Sequence, residues 1–161
     1  MPERLRVEPV AATGVNGMVG GQYIDVRGLV DGGAASLRRL HELKTGRLIG
    51  ASVECVLLLA GERDGGSTLS HFRSFAAELG LLFQIVDDIL DVTGNEDALG
   101  KPLGSDERHG KLTYVSSYGL DGAREMARES HRSARAALAE AAQTGTEELQ
   151  QITDFIYTRT T

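Results

Sequence analysis

The segment FQIVDDILDVTG, Phe83 to Gly94, constrains this chain more than any other, because it sets three aspartates on one arc of an otherwise apolar helix. At about 100° per residue, with Asp87 at zero, Asp91 falls near 40°, Gln84 near 60° and Asp88 near 100°. Leu81, Leu82, Phe83, Ile85, Val86, Ile89, Leu90 and Val92 fill the remaining arc, from roughly 120° to 320°. A helix greasy over most of its circumference belongs in a core, yet this one carries a carboxylate cluster. Two carboxylates about 6 Å apart repel by roughly 3 kcal/mol at an effective dielectric of about 20. A cation removes that repulsion, and hard oxygen donors with no His or Cys nearby suit magnesium. The competing reading is an acidic stripe on a solvated face, although such a face ordinarily mixes Lys, Arg and Ser with its acids. Calcium is disfavoured, since no Gly-containing EF-hand loop is present.

The overall balance narrows the function classes. Across 161 residues, 23 acids outnumber 17 Lys and Arg, and no long basic run exists, which argues against nucleic acid as a partner. The length fits one domain able to bury a core. Cys55 is the single cysteine, so no internal disulfide forms, and no Cys/His metal cluster is available. The N-terminus lacks a basic-then-apolar signal pattern, and a cytoplasmic location is expected. The longest apolar stretch, Leu48 to Gly61, is interrupted by Glu54 and falls short of the ~20 residues that span a bilayer. It reads as a core helix.

No period-2 strand pattern is found, and the expected class is all-α. Residues 1–13, with Pro2 and Pro9, are expected to be an irregular lead-in, and residues 14–161 the folded part. The glycine-dense run from Gly14 to Asp25 suggests close approach of helices or of a ligand. Helical patterns are expected from about Ser36 to Ala60 and from Thr68 to Val92. Another begins at Lys111, breaks at Gly119 to Gly122 and resumes from Ala123 to Gln143. A last helix is expected after Thr146, a plausible N-cap. The longest irregular stretch, Thr93 to Gly110, is the kind of loop that commonly carries function.

Lys44 sits where a lysine is not expected. With Lys44 at zero, Leu37, Leu40, Leu48, Ala51, Cys55 and Leu58 all lie within about 40° of it on an ideal helix. Either the ammonium snorkels to the surface along its aliphatic stem, or it points into a polar cavity that holds an anion, with the Thr45 hydroxyl beside it. Lys101 and Lys111 each follow a glycine and flank the loop leaving the aspartate helix, with Asp106 between them. Ammonium groups beside a carboxylate–magnesium cluster are what diphosphate recognition requires.

Five segments in order, GMVGGQYIDV (Gly17 to Val26), HELKTGRLI (His41 to Ile49), GLLFQIVDDILDVTG (Gly80 to Gly94), LGKPLGSD (Leu99 to Asp106) and HGKLTY (His109 to Tyr114), resemble the C-terminal half of the trans-isoprenyl diphosphate synthases. These are the farnesyl and geranylgeranyl diphosphate synthases, and DDILD matches their second DDxxD motif. The resemblance implies part of an all-α terpenoid-synthase bundle. It implies prenyl transfer from an allylic diphosphate to isopentenyl diphosphate, with magnesium as cofactor. Carried over by position, Asp87, Asp88 and Asp91 would ligate the metal directly or through water. Lys44, Thr45, Gln84, Lys101 and Lys111 would bind the allylic diphosphate and assist its ionisation. Gln22 and Asp25 fall in a matched segment without an assigned role.

Family members are about twice as long and carry a first DDxxD in their N-terminal half, whereas Asp87–Asp88 is the only Asp-Asp pair here. The resemblance therefore implies a chain with little prenyl transfer activity of its own, completed by another chain or by a homo- or hetero-oligomeric partner. The alternative is a non-catalytic regulatory subunit of a full-length synthase, and a third reading is an unrelated magnesium-binding helical module. Apolar faces left without their usual neighbours would favour self-association.

Overall fold

The computed structural model describes residues 4–30, 33–62, 65–94 and 111–159. Every regular element among them is helical: α1 (Arg4–Thr13), α2 (Met18–Arg27), α3 (Ala34–His41), a π-helical turn (Glu42–Gly46), α4 (Arg47–Leu59), α5 (Ser67–Thr93), α6 (Tyr114–Ala141) and α7 (Glu147–Thr158). Lys101, Asp106 and the rest of the stretch 95–110 lie outside the described residues.

The aspartate helix α5 forms the centre, packing chiefly against α6. Its Phe75, Leu82, Ile85, Val86 and Ile89 are fully buried. They pack with a buried, mostly small-residue seam on α6, in which Ala123, Ala127, Ser130, Ala134, Leu138 and Ala141 recur at three- and four-residue spacing. Large side chains against small ones let the two helices approach closely and fill the space between them. The Ser130 hydroxyl donates to the Glu78 backbone carbonyl at 2.9 Å, which satisfies the polar member of the seam. Gly119 leaves helical geometry (φ 72°, ψ 165°), so α6 is two helical segments joined across a kink, within the break expected at Gly119 to Gly122. α7 folds back through buried Thr153 and Ile156. Its Asp154 lies 2.7 Å from His131 Nε2 and accepts from Arg135 at 2.8 Å, both on α6.

Two sequence expectations need correction. Residues 4–13, expected to be irregular, form α1, with Pro9 inside it. The helix lacks a sequence period, and it is held by packing against α4, with Ala12 buried. Such tertiary contact overrides the cost of an interior proline. The second correction concerns the long helix from α3 to α4. A uniform 3.6-residue period places Leu48 towards the core, yet Leu48 is 39% exposed and Ile49 packs against the core instead. The cause is the π turn, in which the Arg47 N–H reaches back five residues to the Glu42 carbonyl. One extra residue in a turn shifts the phase of everything after it by about 100°.

Several large apolar side chains remain on the surface. Val15, Val19, Tyr23 and Val26 follow a three- to four-residue spacing along α2 and its approach, each more than half exposed. Among the described residues no helix is long and apolar enough to cross a membrane.

Candidate functional site

The π turn carries Lys44 and Thr45 and is gripped between two glycines of neighbouring helices. A Cβ added to Gly21 on α2 would stand 2.4 Å from the Lys44 backbone nitrogen. One added to Gly80 on α5 would stand 3.2 Å from Gly46 Cα. Only glycine at position 21 lets α2 come this near, and that approach sets Asp25, one turn further along α2, beside the Lys44 side chain.

The Lys44 ammonium donates to Asp25 Oδ2 at 2.5 Å. It is thus directed at a carboxylate instead of running out to bulk solvent. Lys111, just before α6, places its own ammonium 3.6 Å from Asp25 Oδ1. One carboxylate, with its side chain only 10% exposed, therefore gathers two lysines from elements far apart in sequence. Burial pushes the Asp25 carboxyl up, but the hydrogen bond and charge of Lys44 and the charge of Lys111 outweigh it and hold it below the usual carboxylate range. The trio keeps one net positive charge. Asp25 and Lys111 border a cavity of about 480 Å³ whose wall also includes Arg27 and Leu40.

The aspartate motif meets this group through the start of α6. Asp88 is buried on α5, and its Oδ2 accepts from the Tyr114 backbone N–H at 2.6 Å. Asp91 is also buried, whereas Asp87 is half-buried. The Tyr114 ring lies tilted against His41, centroids 5.4 Å apart, and His41 immediately precedes the π turn. Burial and then the charge of Asp88 push the Tyr114 phenol well above its ordinary value. Thr45 and Gln84 are half-buried on the same elements as Lys44 and Asp87.

Among the described residues no three His, Cys, Asp or Glu side chains form a closed metal cage. A magnesium ion is not ordinarily held by protein ligands alone. The ion retains waters and is usually held by one or two carboxylates together with substrate phosphate oxygens. The donors here are oxygens of the right hardness.

The sequence profile of the Polyprenyl synthetase family matches residues 3–156. The chain belongs to this family. Within the polyprenyl synthetases, it is 39% identical to the farnesyl diphosphate synthase of Escherichia coli (strain K12) over 157 residues, covering 94% of this chain and 52% of that protein. It is 44% identical to the farnesyl diphosphate synthase of Geobacillus stearothermophilus over 127 residues, covering 76% of this chain and 41% of the relative. The geranyltransferase of Helicobacter pylori, solved in complex with magnesium and isoprenyl diphosphate, superposes with a TM-score of 0.76 at 29% identity. That superposition covers 98% of this chain and 52% of the other. The chain thus spans about half the length of the relatives it matches, and its helices match part of the isoprenyl diphosphate synthase fold.

Of the residues singled out in the sequence, the structure brings Lys44 and Lys111 together on Asp25 and joins Asp88 to the same neighbourhood through Tyr114. Lys101 lies outside the described residues. Asp25 belongs to a matched segment in which its role is less certain, and Tyr114 merely ends the matched segment HGKLTY. A signal for Asp25 existed in the four-residue spacing of Gly21 and Asp25, which sets a gap and a carboxylate on one helix face.

Proposed function

We propose that this chain is the part of an isoprenyl diphosphate synthase that binds the allylic diphosphate, with little prenyl transfer activity until the rest of the bundle is supplied. The observation that carries this reading is the pairing of Lys44 and Lys111 on one half-buried carboxylate, Asp25, with the DDILD motif tied to the start of α6 through the Tyr114 N–H on Asp88. In the reaction, the allylic C–O bond breaks, the diphosphate takes the electron pair, and the double bond of isopentenyl diphosphate attacks the allylic cation. A proton is then lost and the chain is five carbons longer. Lys44 and Lys111 offset the negative charge that grows on the departing diphosphate. Asp25 holds both ammoniums in place before substrate arrives, so that little reorganisation is needed. Thr45, Gln84 and Lys101 complete the diphosphate contacts. Magnesium, when bound, would neutralise diphosphate oxygens, and Asp87, the more accessible carboxylate of the motif, would hold it together with Asp91.

The missing wall would come from the N-terminal half of a synthase, on the same or another polypeptide. The exposed apolar stripe of Val15, Val19, Tyr23 and Val26 supports such a neighbour. The purified chain should incorporate little isopentenyl diphosphate into product, and mixing with an N-terminal half bearing a first DDxxD should restore incorporation. Substantial turnover by the chain alone would contradict the reading. A regulatory subunit would instead capture an intact synthase and alter its turnover without needing Lys44.

A further inference from the structure

The three aspartates of DDILD do not share one environment. Asp88 is buried, and one of its oxygens is committed to the Tyr114 N–H at 2.6 Å. Tyr114 is the first residue of α6, and its backbone lies where water does not reach, since the residue is 1% exposed. The N-cap Thr113 deals with other donors of this end. Its hydroxyl accepts from the Ser116 N–H at 3.0 Å, while the Thr113 N–H donates to the Ser116 hydroxyl at 2.9 Å. That capping box leaves the Tyr114 N–H without a local acceptor, and the Asp88 carboxylate from α5 supplies one. The positive end of α6 also favours a carboxylate at that place.

The consequence reaches the lysines. Lys111 precedes Tyr114 by three residues and contacts Asp25. The Tyr114 ring rests on His41 at the head of the turn carrying Lys44. We infer that Asp88 is a positioning residue: it fixes the start of α6, and through it Lys111, and it does not ligate magnesium directly. This inference rests on the diphosphate-site reading above and deepens it by dividing the motif's labour. An acceptor oxygen meets the main need of such a role, and the negative charge adds only the smaller attraction to the helix end.

The division is tested by titrating the purified chain with magnesium and an allylic thiodiphosphate in a calorimeter, comparing Asp88→Asn, Asp88→Ala and Asp87→Asn, with amide hydrogen exchange followed at Tyr114. Asp88→Ala should weaken binding about tenfold, the cost of a hydrogen bond to a charged group, and should lose protection at Tyr114 while α5 stays protected. Asp88→Asn keeps an acceptor and should restore both affinity and protection, whereas Asp87→Asn should abolish the magnesium dependence and leave Tyr114 protected. Asp88→Asn binding as poorly as Asp87→Asn, with magnesium dependence equally lost, would overturn the inference. So would an unchanged Tyr114 exchange rate in Asp88→Ala. If the unaltered chain does not bind the thiodiphosphate, the diphosphate reading itself falls, and the exchange rates alone decide whether Asp88 anchors α6.

Discussion

Replacing Gly21 by alanine adds one methyl group at the tightest helix crossing of the site. That methyl would stand 2.4 Å from the Lys44 nitrogen, 2.7 Å from its Cα and 2.9 Å from its Cβ, where ordinary contact begins at 3.4 Å. Two of these three atoms are backbone, so rotamer changes give no relief, and α2 must retreat by about 1 Å. Overpacking of this kind costs roughly 1–3 kcal/mol, while alanine gains about 1 kcal/mol over glycine inside a helix. Because the clash is with backbone, the upper part of that range, about 2–3 kcal/mol, applies, and the net loss should be about 1–2 kcal/mol, which lowers the melting temperature by roughly 3–6 °C for a domain of this size. Gly80→Ala offers the internal comparison. Its Cβ would meet Gly46 Cα at 3.2 Å, a shortfall of a few tenths of an ångström, so the helix gain should roughly cancel the clash. The assay is thermal unfolding followed by circular dichroism, together with NMR titration of Asp25, whose carboxyl should move back towards its ordinary value as Lys44 draws away. A Gly21→Ala chain as stable as the parent, or one less perturbed than Gly80→Ala, would refute the reasoning.

Two further outcomes follow from the structure. The folded-state value of the Asp25 carboxyl is depressed, so its contribution to stability is present above the unfolded value of about 3.9 and lost as pH falls through the folded value. Urea midpoints of the parent should therefore exceed those of Asp25→Asn at pH 7, and the gap should close below about pH 4; a gap that persists at pH 2 would contradict this. The exposed stripe of Val15, Val19, Tyr23 and Val26 should make the chain self-associate as concentration rises. Light scattering checks it, and a monodisperse monomer across the range would argue against an interface there.

The aspartate helix was legible almost to the residue. It was expected over Thr68 to Val92 and runs over Ser67–Thr93, because its apolar period is strong and glycines at positions 66 and 94 bound it. The depth of Leu82, Ile85, Val86 and Ile89 follows from the same period. Lys44 was legible as an anomaly, since charge on an apolar stripe needs a partner, but the partner was not. The four-residue spacing of Gly21 and Asp25 marks a gap and a carboxylate on one helix face, but what fills the gap is a contact between residues 21 and 44 that no local pattern encodes. The π turn itself misled the reading of Leu48, because a periodicity argument assumes a constant turn. Residues 4–13 read as an irregular lead-in for a related reason: α1 owes its form to α4, and its own sequence carries neither a period nor a cap. Asp88 looked like its two neighbours in the sequence, and only burial and the Tyr114 amide set it apart.

The most direct test of the diphosphate site is calorimetric titration of the purified chain with an allylic diphosphate analogue, with and without magnesium, for the parent and for Lys44→Ala. The expected result is magnesium-dependent binding in the parent that weakens at least about tenfold in Lys44→Ala, the loss of one charge-assisted contact. Binding that is equal in the two chains, or absent from the parent under every condition, would contradict the assignment of Lys44, Asp25 and Lys111 to diphosphate recognition.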